Sequence, residues 1–254
     1  MSDFFRIQYL KLRSLVRVIF GRDYVSNNYT EVESYNDRQI RDTNATWQDK
    51  SLPEAQWAIV NKQLFELKSG KETIEFSSFR ASIECSFSSD ATFTLLDIGC
   101  SSGYYSFVFM NAFPNGIYTG VDFSHEFIKF GQKKFPDARL QRMDANDLSP
   151  FQDKSFDCVV SGCVLLHIPT WEIALREAAR VAKKTLILHR TPLNRNETKK
   201  FIKKAYGKPT IEWHFLKTDL VEKLANEGFE LKESIILSNG GDKTVETLSF
   251  ERLK

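Results

Sequence analysis

Three aspartates, Asp97, Asp122 and Asp144, each close or follow one of three consecutive predicted strands between residues 94 and 144. A single aspartate after a strand more often caps a helix or solvates a loop than binds a ligand. Three of them after consecutive strands form a different pattern, because parallel sheets bind ligands just outside the carboxyl ends of their strands. Carboxylates pair with cations and accept hydrogen bonds from diols. The pattern therefore predicts one site for a ligand that carries such groups.

A turn with two glycines follows the first of these aspartates. Gly99 and Gly103 let the backbone pass close to a ligand, and the helix that begins after them offers free N–H donors. The dinucleotide fingerprint has a third glycine, but here Ser101 and Tyr104 occupy two of its glycine positions. Asp97 would also repel a pyrophosphate. The turn therefore favours an uncharged or cationic ligand.

The spacing Asp97-x-Gly99-x-Ser101-x-Gly103 resembles the first motif of class I S-adenosylmethionine-dependent methyltransferases, usually D/E-x-G-x-G-x-G. Ser101 stands at the middle glycine, which is the one departure in this motif. The resemblance implies a Rossmann-like fold of the methyltransferase type 11 kind. It also implies that Asp122, at the end of the second strand, holds the ribose hydroxyls.

The family pattern continues in chain order. Asp144, in Met143-Asp144-Ala145, stands where the family's aspartate meets the adenine amino group. Residues 156–160 resemble the fourth strand, and residues 163–169 resemble the loop after it. The match covers about residues 94–190 closely. It implies S-adenosyl-L-methionine as cofactor, no metal, and cofactor contacts from Asp97, Gly99, Cys100, Ser101, Gly103, Asp122, Phe123, Met143, Asp144, Ala145 and Ser161.

Methyl transfer is an in-line displacement, so catalysis rests mainly on alignment and desolvation. A general base is needed only where the acceptor must lose a proton. His167, in the loop after the fourth strand, is the first candidate base, and His189, at the end of the fifth strand, is the second. The alternative for His167 is a structural role in which it hydrogen-bonds its own loop. His125 and His214 are expected to be surface or packing residues.

The acceptor is constrained by what the sequence lacks. Residues 161–164 contain no Asn/Asp-Pro-Pro-aromatic run of the kind found in amino-methylating nucleic-acid enzymes. The net charge is only +2, with 35 basic and 33 acidic residues, which disfavours a nucleic-acid partner. A small-molecule or saccharide acceptor is expected, with O-methylation favoured. The alternatives are a non-catalytic subunit of this fold, a nucleic-acid or protein methyltransferase, and a nucleotide-dependent oxidoreductase.

The elements that must position these residues alternate strand and helix from residue 94 onward. This predicts an α/β fold with a doubly wound, mostly parallel sheet of seven strands, in the order 3-2-1-4-5-7-6. The last strand is antiparallel because residues 239–242 form a hairpin turn. Residues 94–254 are thus the S-adenosylmethionine-binding domain. Residues 1–93 are a helical, aromatic cap with helices over 4–20 and 53–68.

The overall composition is that of an ordinary globular chain. Of its 254 residues 42% are hydrophobic and 27% charged, enough to bury a core without disulfides. No window is long and apolar enough for a membrane span, and no leader is evident, so a cytoplasmic location is expected. Arg6, Arg13 and Arg17 share one stripe of the predicted helix over 4–20. That helix either docks on the domain or makes weak peripheral contact with a membrane.

Overall fold

The computed structural model describes residues 29–253, and the predicted helix over residues 4–20 lies outside them. The helices are α1 (Asp37–Trp47), α2 (Leu52–Lys68), α3 (Ile74–Glu84), α4 (Tyr105–Ala112), α5 (His125–Lys134), α6 (Trp171–Val181) and α7 (Lys217–Asn226). The strands are β1 (Thr30–Val32), β2 (Thr94–Ile98), β3 (Ile117–Asp122), β4 (Arg139–Arg142), β5 (Phe156–Gly162), β6 (Ala182–Asn194), β7 (Lys199–Ala205), β8 (Lys208–Leu216), β9 (Phe229–Gly240) and β10 (Lys243–Arg252).

The described residues form a mixed sheet of ten strands, three more than expected. Seven of them lie in the order β4-β3-β2-β5-β6-β10-β9, and β10 is antiparallel to both of its neighbours. The additional strands are β1, β7 and β8. They join the sheet through the far end of β6, where Leu193 and Asn194 pair with Phe215 and Leu216 of β8. Strand β6 thus runs past β5 and carries a second, smaller antiparallel layer.

The central strands are buried on both faces, which is why their sequences are continuous apolar runs. Leu96 and Val159 pack into the core beneath α6 and α7. Their neighbours Leu95 and Val160 point the other way, into the core formed with α2, α3 and α4. Side chains that alternate along each strand therefore fill the two cores on opposite faces of the sheet, and the sheet between them is held rigidly.

Residues 30–47 are more ordered than the polar sequence of residues 24–49 led us to expect. Helix α1 begins with a capping box in which the Asn36 side chain accepts from Gln39 N at 3.0 Å, and Gln39 accepts from Asn36 N at 2.9 Å. Thr46 donates to Pro209 O at 2.6 Å, and Thr43 accepts from Ile211 N at 3.1 Å. These bonds fix α1 against β8, an element that the sequence analysis did not predict.

Two helices begin after a hydroxyl residue that does not cap them. Ser124 precedes α5 and Thr170 precedes α6, yet neither hydroxyl bonds its helix. Thr170 instead donates to Asn146 at 3.0 Å, and the Ser124 backbone N–H donates to Asp122 at 2.9 Å. The second of these bonds ties the start of α5 to a predicted ligand-binding carboxylate.

The described residues contain neither a disulfide bond nor a helix that could span a membrane. All four cysteines (Cys85, Cys100, Cys158 and Cys163) are free thiols. Within residues 29–253, no helix has the length and apolar character needed to cross a membrane.

Candidate active site

A cavity of about 670 Å³ lies at the carboxyl ends of β2, β3, β4 and β5. One wall comes from the turn after β2 and the loops after β3, β4 and β5. A second wall comes from α1 and α2, through side chains that include Trp47 and Gln56. A third comes from β6, β7, β8 and β10, including Arg190, Lys203 and Lys243. The cavity therefore lies between the predicted cofactor residues and the strands that the sequence analysis missed.

Asp122 organises the turn after β2. Its Oδ2 accepts from Ser101 N at 2.9 Å, and its Oδ1 accepts from Ser124 N at 2.9 Å. Burial raises its pKa to about 6, against the opposing effect of these two backbone bonds. Each oxygen retains a lone pair, so the carboxylate joins two loops and still faces the cavity.

Asp97 is the more deeply buried of the two carboxylates, with 3% of its surface exposed. The Tyr118 hydroxyl donates to its Oδ2 at 2.6 Å. Burial raises the pKa of Asp97 to about 7; the bond from Tyr118 opposes this rise, and the charge of Asp122 adds to it. Two carboxylates in a confined space resist ionising together, and a cationic ligand relieves that cost.

The backbone at Gly99, Ser101 and Gly103 is left-handed, with φ of 69°, 55° and 72°. A Cβ on Gly99 would lie 2.4 Å from Val164, in the loop after β5. Gly99 is therefore required by the packing of two loops, and not only by the approach of a ligand. Ser101 adopts the conformation that the family's middle glycine provides, and its hydroxyl donates to Gln56 of α2.

The other predicted cofactor residues divide into two groups. Cys100, Phe123, Met143, Asp144 and Ala145 line the cavity together with Asp97, Gly99, Ser101 and Asp122. Gly103 and Ser161 are not among the lining residues, which differs from the prediction. A Cβ on Gly103 would lie 2.7 Å from Leu140, and Ser161 is buried within β5 beside Ile98 and Leu188. Both therefore serve packing beneath the site.

His167 lines the cavity at the end of a 3₁₀ turn, Leu165–His167. Its Nδ1–H donates to Ile211 O at 2.7 Å, which leaves Nε2 as the acceptor. The ring packs against Trp47 with centroids 4.8 Å apart. Burial lowers the pKa of His167 to about 4, with a smaller opposing effect from Glu212. The imidazole is therefore neutral at physiological pH, further from its ordinary pKa than the sequence analysis assumed.

His189 does not reach the cavity, although it was the second candidate base. It is 1% exposed, and its Nε2 lies 2.8 Å from the Tyr105 hydroxyl. Its Nδ1 lies 2.9 Å from Thr247 Oγ1. Burial, followed by the neighbouring charge of Arg190, holds its pKa well below the ordinary value. A side chain enclosed in this way meets no acceptor. His189 is instead a buried residue that positions Tyr105.

The sequence analysis missed most of the polar residues on the wall opposite the cofactor turn. They are Arg190, Lys203, Tyr206, Glu212 and Lys243, and Gln56 of α2, which accepts from Ser101 of the turn, was also missed. Glu212 is 3% exposed and forms an ion pair with Lys203. Its pKa is lowered despite burial, through the His214 hydrogen bond and the charge of Lys203. Lys203, Tyr206 and Glu212 come from the unpredicted β7–β8 hairpin, and Gln56, Arg190 and Lys243 lie far from them in sequence, so no short motif connected them.

A family model for a methyltransferase domain matches residues 96–188. Demethylmenaquinone methyltransferase from Staphylococcus aureus is 37% identical over 92 residues. That stretch is 35% of this chain and 38% of the relative, so well under half of the relative is matched. The matched residues contain β2 to β6 and the cofactor-facing side of the cavity.

Solved structures extend the likeness in fold beyond that segment. The 1,6-didemethyltoxoflavin-N1-methyltransferase of Burkholderia thailandensis has a TM-score of 0.59 at 13% identity, over 89% of this chain and 95% of that one. The Synechocystis magnesium protoporphyrin IX methyltransferase, solved with S-adenosylmethionine, has a TM-score of 0.53 at 18% identity, over 70% and 77%. Both show a shared Rossmann-like methyltransferase fold. The family match over residues 96–188, the motif after β2 and this shared fold together support a class I S-adenosylmethionine-dependent methyltransferase domain in that part of the chain.

Proposed function

We propose that this protein transfers the methyl group of S-adenosylmethionine to an oxygen of a small-molecule or saccharide acceptor. The observation that carries the proposal is the convergence of Asp97 and Asp122 with the left-handed turn at Gly99 on one cavity. Both carboxylates have raised pKa values, chiefly through burial. A cationic donor with a ribose diol suits them, whereas an anionic dinucleotide does not.

The residues on the β2–β4 side suit the parts of this donor. Asp122 faces the cavity beside the backbone of Ser101 and would accept from the ribose hydroxyls. Phe123 and Met143 provide apolar surface for the adenine, with Asp144 at the rim for its amino group. Asp97, at the base of the turn, is the counter-charge for the cationic methionine end. The bound donor supplies an electrophilic methyl group on a sulfonium, whose S–C bond breaks with its electron pair left on sulfur.

His167 is the residue of this chain that suits proton removal from an acceptor hydroxyl. Its neutral Nε2 is directed away from the bond that Nδ1 makes to Ile211. The proton of the hydroxyl would pass to Nε2 as the oxygen lone pair forms the new O–C bond. Trp47, whose ring lies 4.8 Å from the imidazole at a tilt of 46°, would help to orient the ring.

The division into a cap, residues 1–93, and a methyltransferase domain, residues 94–254, is part of the proposal. Helices α1 and α2 supply Trp47 and Gln56 to the wall of the cavity. Tyr29 adds a second aromatic wall residue from the same segment. The cap would thus select the acceptor, while the strand ends hold the donor. A reducing cytoplasm suits the free thiol of Cys100, which lies under the cofactor turn.

Transfer of a radioactive methyl group tests the proposal. The protein is incubated with methyl-labelled S-adenosylmethionine and a metabolite extract of its source cells, and label is counted in small molecules, protein and nucleic acid. We expect label in small molecules, and loss of that label in Asp122→Ala. The Asp137→Ala variant, altered at an exposed carboxylate outside the cavity, is the matched control. Label confined to protein or nucleic acid would contradict the acceptor class, and no transfer into any fraction would contradict the activity.

A further inference from the structure

Arg190 lies in a β-bulge on the wall of the cavity. Strand β10 pairs Leu248 with Leu188 and Glu246 with Thr191, so two residues of β6 oppose the single residue Thr247. Arg190, one of those two, has a left-handed φ of 58°. Such a backbone is strained in a residue other than glycine. Bulges redirect side chains, and here the extra residue brings a guanidinium to the cavity.

The guanidinium has no carboxylate partner within 4.0 Å among residues 29–253. Its side-chain hydrogen-bond partner there is Tyr105, a neutral phenol whose pKa burial raises beyond the ordinary range. Tyr104 and Cys163 also interact electrostatically with the guanidinium, and Glu75 of α3 is the acidic residue that does so. A guanidinium provides five donors in a planar fork that matches an oxyanion, and here most of that fork is unused.

Two further cations lie on the same side of the cavity. Lys203 pairs with Glu212, and Lys243 lies 3.6 Å from the same carboxylate. Both ammonium groups also lie over the ring of Tyr29, at 5.2 Å and 4.6 Å from its centroid. One carboxylate thus serves two lysines, and Arg190 adds another positive charge. His167 is neutral there because burial lowers its pKa.

We propose that the methyl acceptor is an organic acid with an apolar or aromatic body, and that its oxyanion pairs with Arg190. This inference rests on the proposed function, because it assumes that the cavity binds an acceptor beside S-adenosylmethionine. The side of the cavity opposite the cofactor turn already has an excess of positive charge. Bound S-adenosylmethionine, which carries a sulfonium, adds to the positive charge in the cavity. An anionic acceptor neutralises that excess, and Trp47, Ile59 and Tyr206 provide the surface for its apolar body.

Binding of three naphthalene probes to the full-length protein tests the inference. Calorimetry first measures S-adenosylhomocysteine alone, and failure of that ligand to bind would refute the proposed function independently. Equilibrium dialysis then measures 2-naphthoate, 2-naphthyl phosphate and neutral 2-naphthamide on the protein saturated with S-adenosylhomocysteine. We expect at least one acid to bind about tenfold or more tightly than the amide, the worth of a charge-assisted bond. The preferred acid distinguishes a carboxylate from a phosphate acceptor.

Substitutions at Arg190 test whether this residue causes the preference for an acid over the amide. Arg190→Gln should weaken the preferred acid by about tenfold or more and leave the amide within about twofold. Arg190→Lys, which keeps the charge without the fork, should fall between the two. Arg139→Gln, at an exposed arginine on β4 outside the cavity, is the control and should behave as the wild type. Equal binding of the acids and the amide to the wild type would overturn the inference, and this comparison needs no variant. A preference for the acid that survives in Arg190→Gln would also overturn it.

Discussion

At the scale of single residues, the site depends on two carboxyl groups whose pKa values are raised by burial. Asp97 is enclosed between β2 and β3 and receives one hydrogen bond, from Tyr118. Asp122 is anchored by two backbone N–H groups. The difference explains why the pKa of Asp97, about 7, lies above that of Asp122, about 6. A bond to the charged form lowers a carboxyl pKa, and burial raises it.

The first prediction follows from the pKa of Asp97. A cationic ligand binds the ionised carboxylate, so at a pH below about 7 binding must first release a proton. Affinity for S-adenosylhomocysteine, whose ammonium is the cation, should therefore fall as the pH decreases from 7.5 to 5.5, by up to about tenfold per unit from this group. Calorimetry in buffers of different ionisation enthalpy should detect proton release at pH 6.5. Asp97→Asn should reduce that release, whereas Asp137→Asn should not; equal release in all three proteins would exclude Asp97 as the partner.

The second prediction concerns His167 once an acceptor is known. His167→Ala should lower kcat by about 10²–10⁴ with little change in cofactor affinity, the usual range for loss of a general base. Because burial lowers its pKa to about 4, the ring keeps its proton-accepting form above that pH. The acid limb of the wild-type kcat/KM profile assigned to this residue should therefore lie near 4 rather than 6.5. His125→Ala, at the exposed start of α5, is the control. A loss smaller than about tenfold would make His167 an orienting residue.

The residues of the site differ in how well a sequence reveals them. Asp97, Asp122 and Asp144 fall at or just after three consecutive predicted strands, in the order of the family motif, so their positions at strand ends could be predicted. Arg190 could not, because it reaches the cavity through a bulge that depends on the register between β6 and β10. His189 belongs to the same bulge, but its side chain is enclosed by Tyr105 and Thr247, so the structure places Arg190 and not His189 on the cavity wall.

At the scale of elements, the buried strands were the most predictable. Strand β2 spans the expected residues, Thr94–Ile98, because an apolar run buried on both faces has few alternatives. Strands β7 and β8 were missed because β7, Lys199–Ala205, mixes four lysines with apolar residues and resembles a surface loop. A signal was present at Tyr206-Gly207, where both residues have positive φ, 51° and 77°, as a tight hairpin requires.

The third prediction concerns the close packing of the turn after β2 against the loop after β5. Gly99→Ala should lower the free energy of unfolding by about 2–5 kcal/mol, since the new Cβ would meet Val164 at 2.4 Å on a left-handed backbone. Gly70→Ala is the matched control, because Gly70 has φ of 81° and nothing within 4 Å of the new Cβ. That variant should lose only the backbone contribution, about 1–2 kcal/mol. Urea unfolding measures both; equal losses would show that contact with Val164 is unimportant.

At the scale of the whole molecule, one sheet with two cores holds the strand ends still while the cap and the β7–β8 hairpin build the opposite wall. The β2–β5 side of the cavity carries buried carboxylates, and the opposite side carries Arg190, Lys203 and Lys243. On this polarity we base the proposal that a cationic donor and an acidic acceptor bind on opposite sides of one cavity. The first half of that arrangement was predictable from the family motif. The second half arises from contacts between residues far apart in sequence.

Titration calorimetry with S-adenosylhomocysteine and with NAD tests the central claim most directly. We predict one S-adenosylhomocysteine site per chain and no heat from NAD, because buried carboxylates at Asp97 and Asp122 suit a cation and repel a pyrophosphate. Asp122→Ala should weaken S-adenosylhomocysteine by about 1.5–3 kcal/mol, the worth of hydrogen bonds to a charged group, while Asp137→Ala should leave it unchanged. Binding of NAD without S-adenosylhomocysteine, or unchanged affinity in Asp122→Ala, would contradict the account.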